Sequence, residues 1–353
     1  NSLLNALKER CCGNALFILS IFVFTKRIMD YSSIFNINSN AAFTKKALEI
    51  FKFQFENNPV YRSFCDLLNK NPSDIKSLED IPFLPIEFFK THNVLSSRED
   101  IQQTFTSSGT TGSVVSQHHV TDLNLYKTSF RKGFLQFYGD IEDYAILALL
   151  PSYLERKGSS LVYMIEDMIQ ESKHPKSGFY LNDLDALKQT LLELEISGQK
   201  TLLIGVSYAL LDLIEFHQFD LKYTTIMETG GMKGRRKELI KSELHAILKK
   251  GFGVDKIHSE YGMTELLSQA YSKGYGLFSS PPWMKILIRD PEDALTILDR
   301  KKSGGINIID LANVNSCSFI ATQDLGKLHD NNQVEVIGRF DQSDVRGCNL
   351  MVL

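Results

Sequence analysis

Cysteine is scarce and scattered in this chain. Its 353 residues include five, Cys11, Cys12, Cys65, Cys317 and Cys348, and none forms a CxxC pair. A disulfide-stapled miniprotein, a zinc ribbon and a thioredoxin-like redox motif are therefore excluded. Free thiols fit a reducing cytoplasm. Charge of one sign is also lacking: Lys plus Arg is 39 against 42 for Asp plus Glu, a net of −3. So even a balance leaves no electrostatic footprint for nucleic acid. No apolar stretch reaches the roughly 20 residues of a membrane-spanning helix. The nearest approach runs from Ala15 to Phe24, between Lys8 and Arg10 on one side and Lys26 and Arg27 on the other. No small-residue cleavage site follows it, so a secretory signal is not expected. Internal repeats and low-complexity segments are absent as well.

What is present is ordinary globular material. Hydrophobic residues make up 43% and charged residues 23%, which excludes a disordered chain. The length suits two or three folding units. The row opens on Asn1 rather than Met, and Met29 begins a more usual polar stretch.

From Thr44 onward the pattern alternates between helix and strand. Ala42 to Phe55 carries helical apolar spacing. Pro82 and Pro85 predict an extended stretch from Ile81 to Phe89. The apolar run Tyr144 to Leu150 predicts a buried strand, and Ser159 to Gln170 a helix. Asn182 or Asp183 caps a helix that Gly198 ends. The spacing then predicts a strand at Leu202–Ile204, a helix at Tyr208–Phe216, a strand at Tyr223–Met227, a helix at Lys237–Lys249 and a strand at Lys256–Ser259. Strands separated by long helices imply crossover units and a parallel sheet. After Lys285 the runs Ile286–Ile288, Ile306–Ile309, Phe319–Thr322 and Val334–Val336 predict a smaller, mostly antiparallel subdomain.

Two segments carry chemistry. Thr106-Ser107-Ser108-Gly109-Thr110-Thr111-Gly112 is dense in hydroxyls and glycines, which suits an anion-wrapping loop. Composition alone leaves it equally a flexible turn. It is neither a P-loop nor a dinucleotide fingerprint. Glu260-Tyr261-Gly262-Met263-Thr264-Glu265 follows a predicted strand, where open α/β sheets bind ligands. There Glu265 offers a hard oxygen to Mg²⁺ and Thr264 a donor to phosphate; the plain alternative is a turn with a solvated Glu.

Together, TSSGTTG and YGMTE resemble the adenylate-forming enzymes: acyl-CoA synthetases, adenylation domains and luciferases. Further pieces fall in that family's order. Gly230-Gly231 is similar to its glycine turn beside adenine. Thr322-Gln323-Asp324-Leu325-Gly326 resembles its TGDLG, whose Asp holds the ribose. Gly338-Arg339-Phe340-Asp341 with Val345-Arg346-Gly347 resembles its hinge motif; Arg339 there is a candidate to reach ribose or phosphate, or else a salt-bridged hinge residue. The narrower resemblance is to LuxE-type acyl-protein synthetases, through DIPFLPIEFFK (Asp80–Lys90), PSYLERKGSSLVYM (Pro151–Met164) and RGCNLM (Arg346–Met351).

The resemblance implies an α/β fold, the large domain of an adenylate-forming enzyme: parallel sheets covered by helices plus a small β-rich subdomain, without the C-terminal lid. It divides the chain into an N-terminal extension (1–37), a core (38–337) and a hinge and tail (338–353). It implies ATP and Mg²⁺ as cofactors, a carboxylic acid of the fatty type as substrate, and an acyl reductase or acyl-carrier protein as partner. A carboxylate would attack ATP to give an acyl-adenylate, and Cys348 would take the acyl group as a thioester.

Two departures from the family pattern stand out. The Lys expected after TTG is replaced by Val115-Ser116-Gln117-His118, and the lid lysine is missing. His118 or the adjacent His119 is a candidate stand-in phosphate donor, with His119 the better surface residue. Cys65 reads as core. Glu155 and Arg156 are candidate shapers of the acyl site, and Leu210, Leu211 and Phe216 line either core or an acyl tunnel. Three other readings stay open: an acyl-CoA or aryl-CoA ligase, a non-catalytic nucleotide or acyl binder, and a serine hydrolase built on Gly205-Val206-Ser207 with Asp310 and His329.

Overall fold

The computed structural model describes residues 31–107, 114–151, 158–230 and 239–340. Ser108, Gly109, Thr110, Thr111, Gly112, Gly231 and Cys348 lie outside the described residues, as do Glu155, Arg156 and Lys237.

A 3-10 turn (Tyr31–Asn36) leads into helices α1 (Asn40–Asn57) and α2 (Pro59–Leu67). Ser39 caps α1, its hydroxyl accepting from Ala42 N at 3.2 Å. Asn58 caps α2 by accepting from Tyr61 N at 3.0 Å. Pro59 sits at the first helical position, where a missing N–H costs nothing. The buried face of α1 carries Phe43, Ala47, Ile50, Phe51 and Phe55. Cys65 is buried in α2 as expected, and burial pushes its thiol up to about 12.

The stretch with the two prolines divides. Strand β1 (Leu84–Pro85) is extended, but helix α3 (Phe88–Thr91) follows at once. The extended reading therefore fails after Pro85: the chain turns so that Phe89 enters the core at 1% exposure. Strands β2 (Gln103–Thr106) and β3 (Gln117–Val120) pair antiparallel, from Gln103↔Val120 to Thr106↔Gln117. They bracket the hydroxyl-and-glycine loop. Asp122 then caps α4 (Leu123–Tyr138).

Next come β4 (Ala145–Leu149), α5 (Ser160–Ser172), β5 (Gly178–Phe179), α6 (Leu184–Ile196), β6 (Thr201–Val206), α7 (Ser207–Phe216), β7 (Thr224–Thr229), α8 (Lys241–Phe252), β8 (His258–Tyr261) and β9 (Ala270–Ser272). The sheet order is β5-β4-β6-β7-β8-β9, parallel except for β9. The apolar runs of β4 and β6 are buried along their whole length, as a sheet covered on both faces requires. The expected α8 ran to Lys249; the helix runs on to Phe252. Gly253 ends it at φ +65°, and a Cβ there would stand 2.5 Å from Phe219 O. Glycine alone meets both conditions.

The second sheet comprises β10 (Leu277–Phe278), β11 (Met284–Arg289), β12 (Ser303–Asp310), β13 (Phe319–Leu328) and β14 (Val334–Arg339), in the order β10-β14-β13-β12-β11. Its hairpins are antiparallel, as expected, and β1 joins β13 in parallel with Leu84 opposite Ile320. A 3-10 turn (Leu311–Asn313) follows β12. Gln54 of α1 binds this region, donating to Asn313 O, Val314 O and Ser318 Oγ.

Candidate functional site

The parallel strands end together. Leu149 pairs with Gly205, Val206 with Thr229, and Glu228 with Ser259. Ser207, Gly230, Glu260 and Tyr261 are therefore collected along one carboxyl edge, the place where such sheets bind ligands.

The hydroxyl loop is anchored beside this edge. At its base Ser107 N donates to Ser116 O at 3.1 Å, and Ser116 N donates to Ser107 Oγ at 2.9 Å. Thr106 N donates to Gly158 O at 2.7 Å. The Ser116 hydroxyl faces the Glu265 carboxylate and favours its charged form. Two motifs far apart in sequence thus meet at one serine, and His118 Nδ1 at 2.8 Å from Thr264 O brings them together again. Glu265 is 4% exposed, and burial raises its carboxyl pKa. The turn that carries it is held from beneath. Asp310 accepts from Leu267 N and Ser268 N at 2.8 and 2.9 Å, and from Ser268 Oγ at 2.6 Å.

The ribose-like motif meets the same turn from the second sheet. Tyr261 Oη donates to Asp324 Oδ2 at 2.7 Å, and Arg339 Nε lies 3.2 Å from Asp324 Oδ1. Arg339 remains 74% exposed, so it is ion-paired at the hinge while keeping solvent access. Tyr261, Thr264, Glu265, Asp324, Arg339 and the loop base are brought together as the sequence suggested.

Buried charges that the motifs did not announce flank Gly230. Glu228 is 2% exposed and contacts Lys241 Nζ at 2.6 Å and His245 Nε2 at 3.4 Å. Burial alone would raise its pKa, but His245, Lys241 and Ser259 together bring it down to about 2. Next to it, Glu260 accepts from Thr229 Oγ1, and burial pushes it up to about 7. Glu260 opens the Glu260–Glu265 segment without its burial being signalled, and only a place just past a predicted strand marked Glu228.

Several candidate readings do not survive the geometry. His118 is not a free phosphate donor: it is 1% exposed, with Nδ1 2.8 Å from Thr264 O and Nε2 3.0 Å from Asn313 Oδ1. His119, on the other face of β3, reaches Thr104 Oγ1 and Asn93 Oδ1 instead. Phe216 lines neither core nor tunnel; it ends α7 at 72% exposure, while Leu210 and Leu211 are buried. The hydrolase triad is not assembled. Ser207 Oγ faces Glu228 and Gly230 O, Asp310 is occupied beneath the 267–268 turn, and His329 pairs with Glu335 at 3.2 Å.

Among solved structures the chain is similar to ATP-bound MatB from Rhodopseudomonas palustris, with a TM-score of 0.52 and 17% identity over 69% of this chain. It spans about half of that protein's length, 49%. It is also similar to 2-hydroxyisobutyryl-CoA ligase in complex with 2-HIB-AMP and CoA, at a TM-score of 0.63 and 13% identity, covering 86% of this chain and 68% of the ligase. The fold is that of the adenylate-forming enzyme large domain. Within that class the resemblance is to the LuxE type: residues 19–138 match the family described as acyl-protein synthetase, LuxE. Two relatives are each named long-chain-fatty-acid–luciferin-component ligase. The one from Aliivibrio fischeri is 24% identical over 87% of this chain and 86% of its own length, and the one from Vibrio harveyi 24% identical over 85% and 84%. Among the described residues no helix is long and apolar enough to cross a membrane.

Proposed function

We propose that this protein is an AMP-forming acid–thiol ligase that activates a fatty acid as its acyl-adenylate and passes the acyl group to Cys348. The carrying observation is the meeting of the Ser107–Ser116 loop base, the Thr264–Glu265 turn and the Asp324–Arg339 pair at one strand edge. The family match and the names of the two relatives support the fatty acid as substrate.

A carboxylate oxygen attacks the α-phosphorus of ATP, forming the acyl–phosphate bond as the bond to the β-phosphate breaks and pyrophosphate leaves. Charge gathers on the phosphate oxygens, so donors fixed in advance lower the barrier. Loop hydroxyls and the Thr264 hydroxyl supply those donors, and Asp324 accepts from the ribose hydroxyls once Tyr261 and Arg339 yield room. A single buried carboxylate beside a phosphate-binding loop fits Mg²⁺, which takes few protein ligands and completes its shell with phosphates and water. Glu265 would hold it, and the cation would neutralise phosphate charge. In the second half the Cys348 thiolate attacks the acyl carbonyl carbon, AMP leaves, and a thioester remains. An acyl reductase or a carrier protein then takes the acyl group, in a cytoplasmic setting that suits free thiols.

Intact-protein mass spectrometry after incubation with MgATP and acids from acetate to palmitate tests this reading. The expected result is a hydroxylamine-sensitive acyl adduct on Cys348 with the longer acids. Acid-dependent pyrophosphate exchange without an adduct would move the acceptor to CoA or another protein. Absence of both would reject the assignment.

A further inference from the structure

Ser116 and His118 stand two residues apart at the start of β3, so they face the same side. Both reach the Thr264–Glu265 turn. Ser116 faces the Glu265 carboxylate. His118 is buried at 1% exposure between two oxygens, Thr264 O at 2.8 Å and Asn313 Oδ1 at 3.0 Å. The Asn313 amide cannot turn round to offer its nitrogen. Its Nδ2 already donates to Glu265 O at 2.8 Å and to Cys317 O at 2.9 Å. A flip would set an oxygen against two carbonyls.

The imidazole therefore sees only acceptors. Burial lowers its pKa to about 4 against the pull of both oxygens; a neutral ring has one N–H to give, and its other nitrogen then faces an oxygen without a hydrogen bond. The shorter contact is to the main-chain carbonyl of the motif itself. We propose that His118 is a positioning residue of the adenylation site, donating from Nδ1 to the Thr264 carbonyl and so setting the Thr264–Glu265 turn against the strand that leaves the hydroxyl loop. This rests on the site being an adenylating one.

The bond acts on the reaction through geometry. It fixes the Thr264 hydroxyl and the Glu265 carboxylate relative to Ser107, the groups placed at the phosphates. The ribose partner Asp324 hangs on the other sheet and is untouched. Loosening the turn should therefore fall on kcat rather than on KM for ATP. Mere packing would not discriminate. Phe89 meets the His118 ring edge-on at 5.7 Å, and an apolar side chain of similar size would serve that contact.

The test compares the unsubstituted protein with H118N, H118Q and H118L in acid-dependent ATP–pyrophosphate exchange, alongside melting temperatures. Asparagine places its amide nitrogen near the Nδ1 position, and glutamine near Nε2. H118L and H118Q should lose about 30- to 100-fold in kcat with KM for ATP within about 3-fold, while H118N stays within about 5-fold of the unsubstituted protein. Unchanged kcat in H118L, or equal losses in H118N and H118Q, would overturn the proposal. Should the variants fail to fold, the ring nitrogen spectrum of the unsubstituted protein decides. A proton on Nδ1 is expected, and a proton on Nε2 alone overturns it. No exchange in the unsubstituted protein would instead bring down the functional reading, and this role with it, whatever the ring spectrum shows.

Discussion

At the residue scale the division of labour between Glu265 and Cys348 is the sharpest consequence of the site. Glu265 is buried against the loop base through Ser116. In the proposed reaction its charge serves the first half, where phosphate charge builds. Glu265→Ala should lower acid-dependent pyrophosphate exchange by at least about 100-fold, the range seen when one transition-state stabilising group is removed. In the same proposal Cys348 serves only the second half. Cys348→Ala should leave exchange intact and abolish the hydroxylamine-sensitive adduct. Loss of exchange in Cys348→Ala would remove the assigned role. Among the described residues the two thiols offer no substitute: Cys65 and Cys317 are buried, and burial raises both pKa values, which disfavours the thiolate.

At the scale of elements, the crossover sheet depends on helices that stop where they must. Gly253 allows α8 to turn into β8 at φ +65° beneath Phe219 O. Gly253→Ala should cost at least about 1 kcal/mol in urea unfolding, since the left-handed conformation and the close carbonyl both resist a Cβ. The loss should fall on stability, because Gly253 lies at the end of the strand edge opposite the site. The same elements show what a sequence reveals. Buried strands such as Ala145–Leu149, caps such as Asp183 and the antiparallel runs after Lys285 were legible, because their signals are local: continuous apolar runs, a capping side chain, a period of two. The turn at Phe88 was hidden, because burying Phe89 against distant β3 outweighed the proline signal before it. Phe216 shares the apolar phase of α7 but is its last residue, where that phase no longer meets the sheet. The motifs of the site were legible as a set. Their mutual contacts were not, because Ser116 to Glu265 and His118 to Asn313 are tertiary pairings with no local trace. The burial of Glu228 and Glu260 was equally silent.

At the scale of the whole molecule, the two sheets are joined at the site by Tyr261 on Asp324, and the charges buried around that junction set the pH response. His118 and His258 have pKa values lowered to about 4, by burial first. Their unfolded values are about 6.5. Each therefore contributes stability that is present above 6.5 and lost as pH falls through 4. Asp310 and Glu260 are raised by burial to about 6 and about 7, from about 3.9 and 4.3 unfolded. Their contribution is full below the unfolded values and lost as pH rises through the folded ones. Between about pH 4.5 and 6 these four groups pull in opposite directions, the unfolded state binding more protons at the two histidines and fewer at the two acids, so their slopes offset one another. Among the described carboxylates Glu228 is the buried one whose pKa is lowered, and it acts at low pH. Held near 2 by His245 and Lys241 against its burial, it contributes stability present above about 4.3 and lost towards 2, roughly 3 kcal/mol in all. Exposed carboxylates add little, because solvent screens them. Urea unfolding should accordingly give a nearly level free energy from about pH 4.5 to 6 and a falling limb below it. In Glu228→Gln that limb should flatten, with Lys241 left without its buried partner and overall stability reduced at neutral pH. A limb equally steep in the variant would assign the acid sensitivity to some other carboxylate and separate Glu228 from the stability of the strand edge.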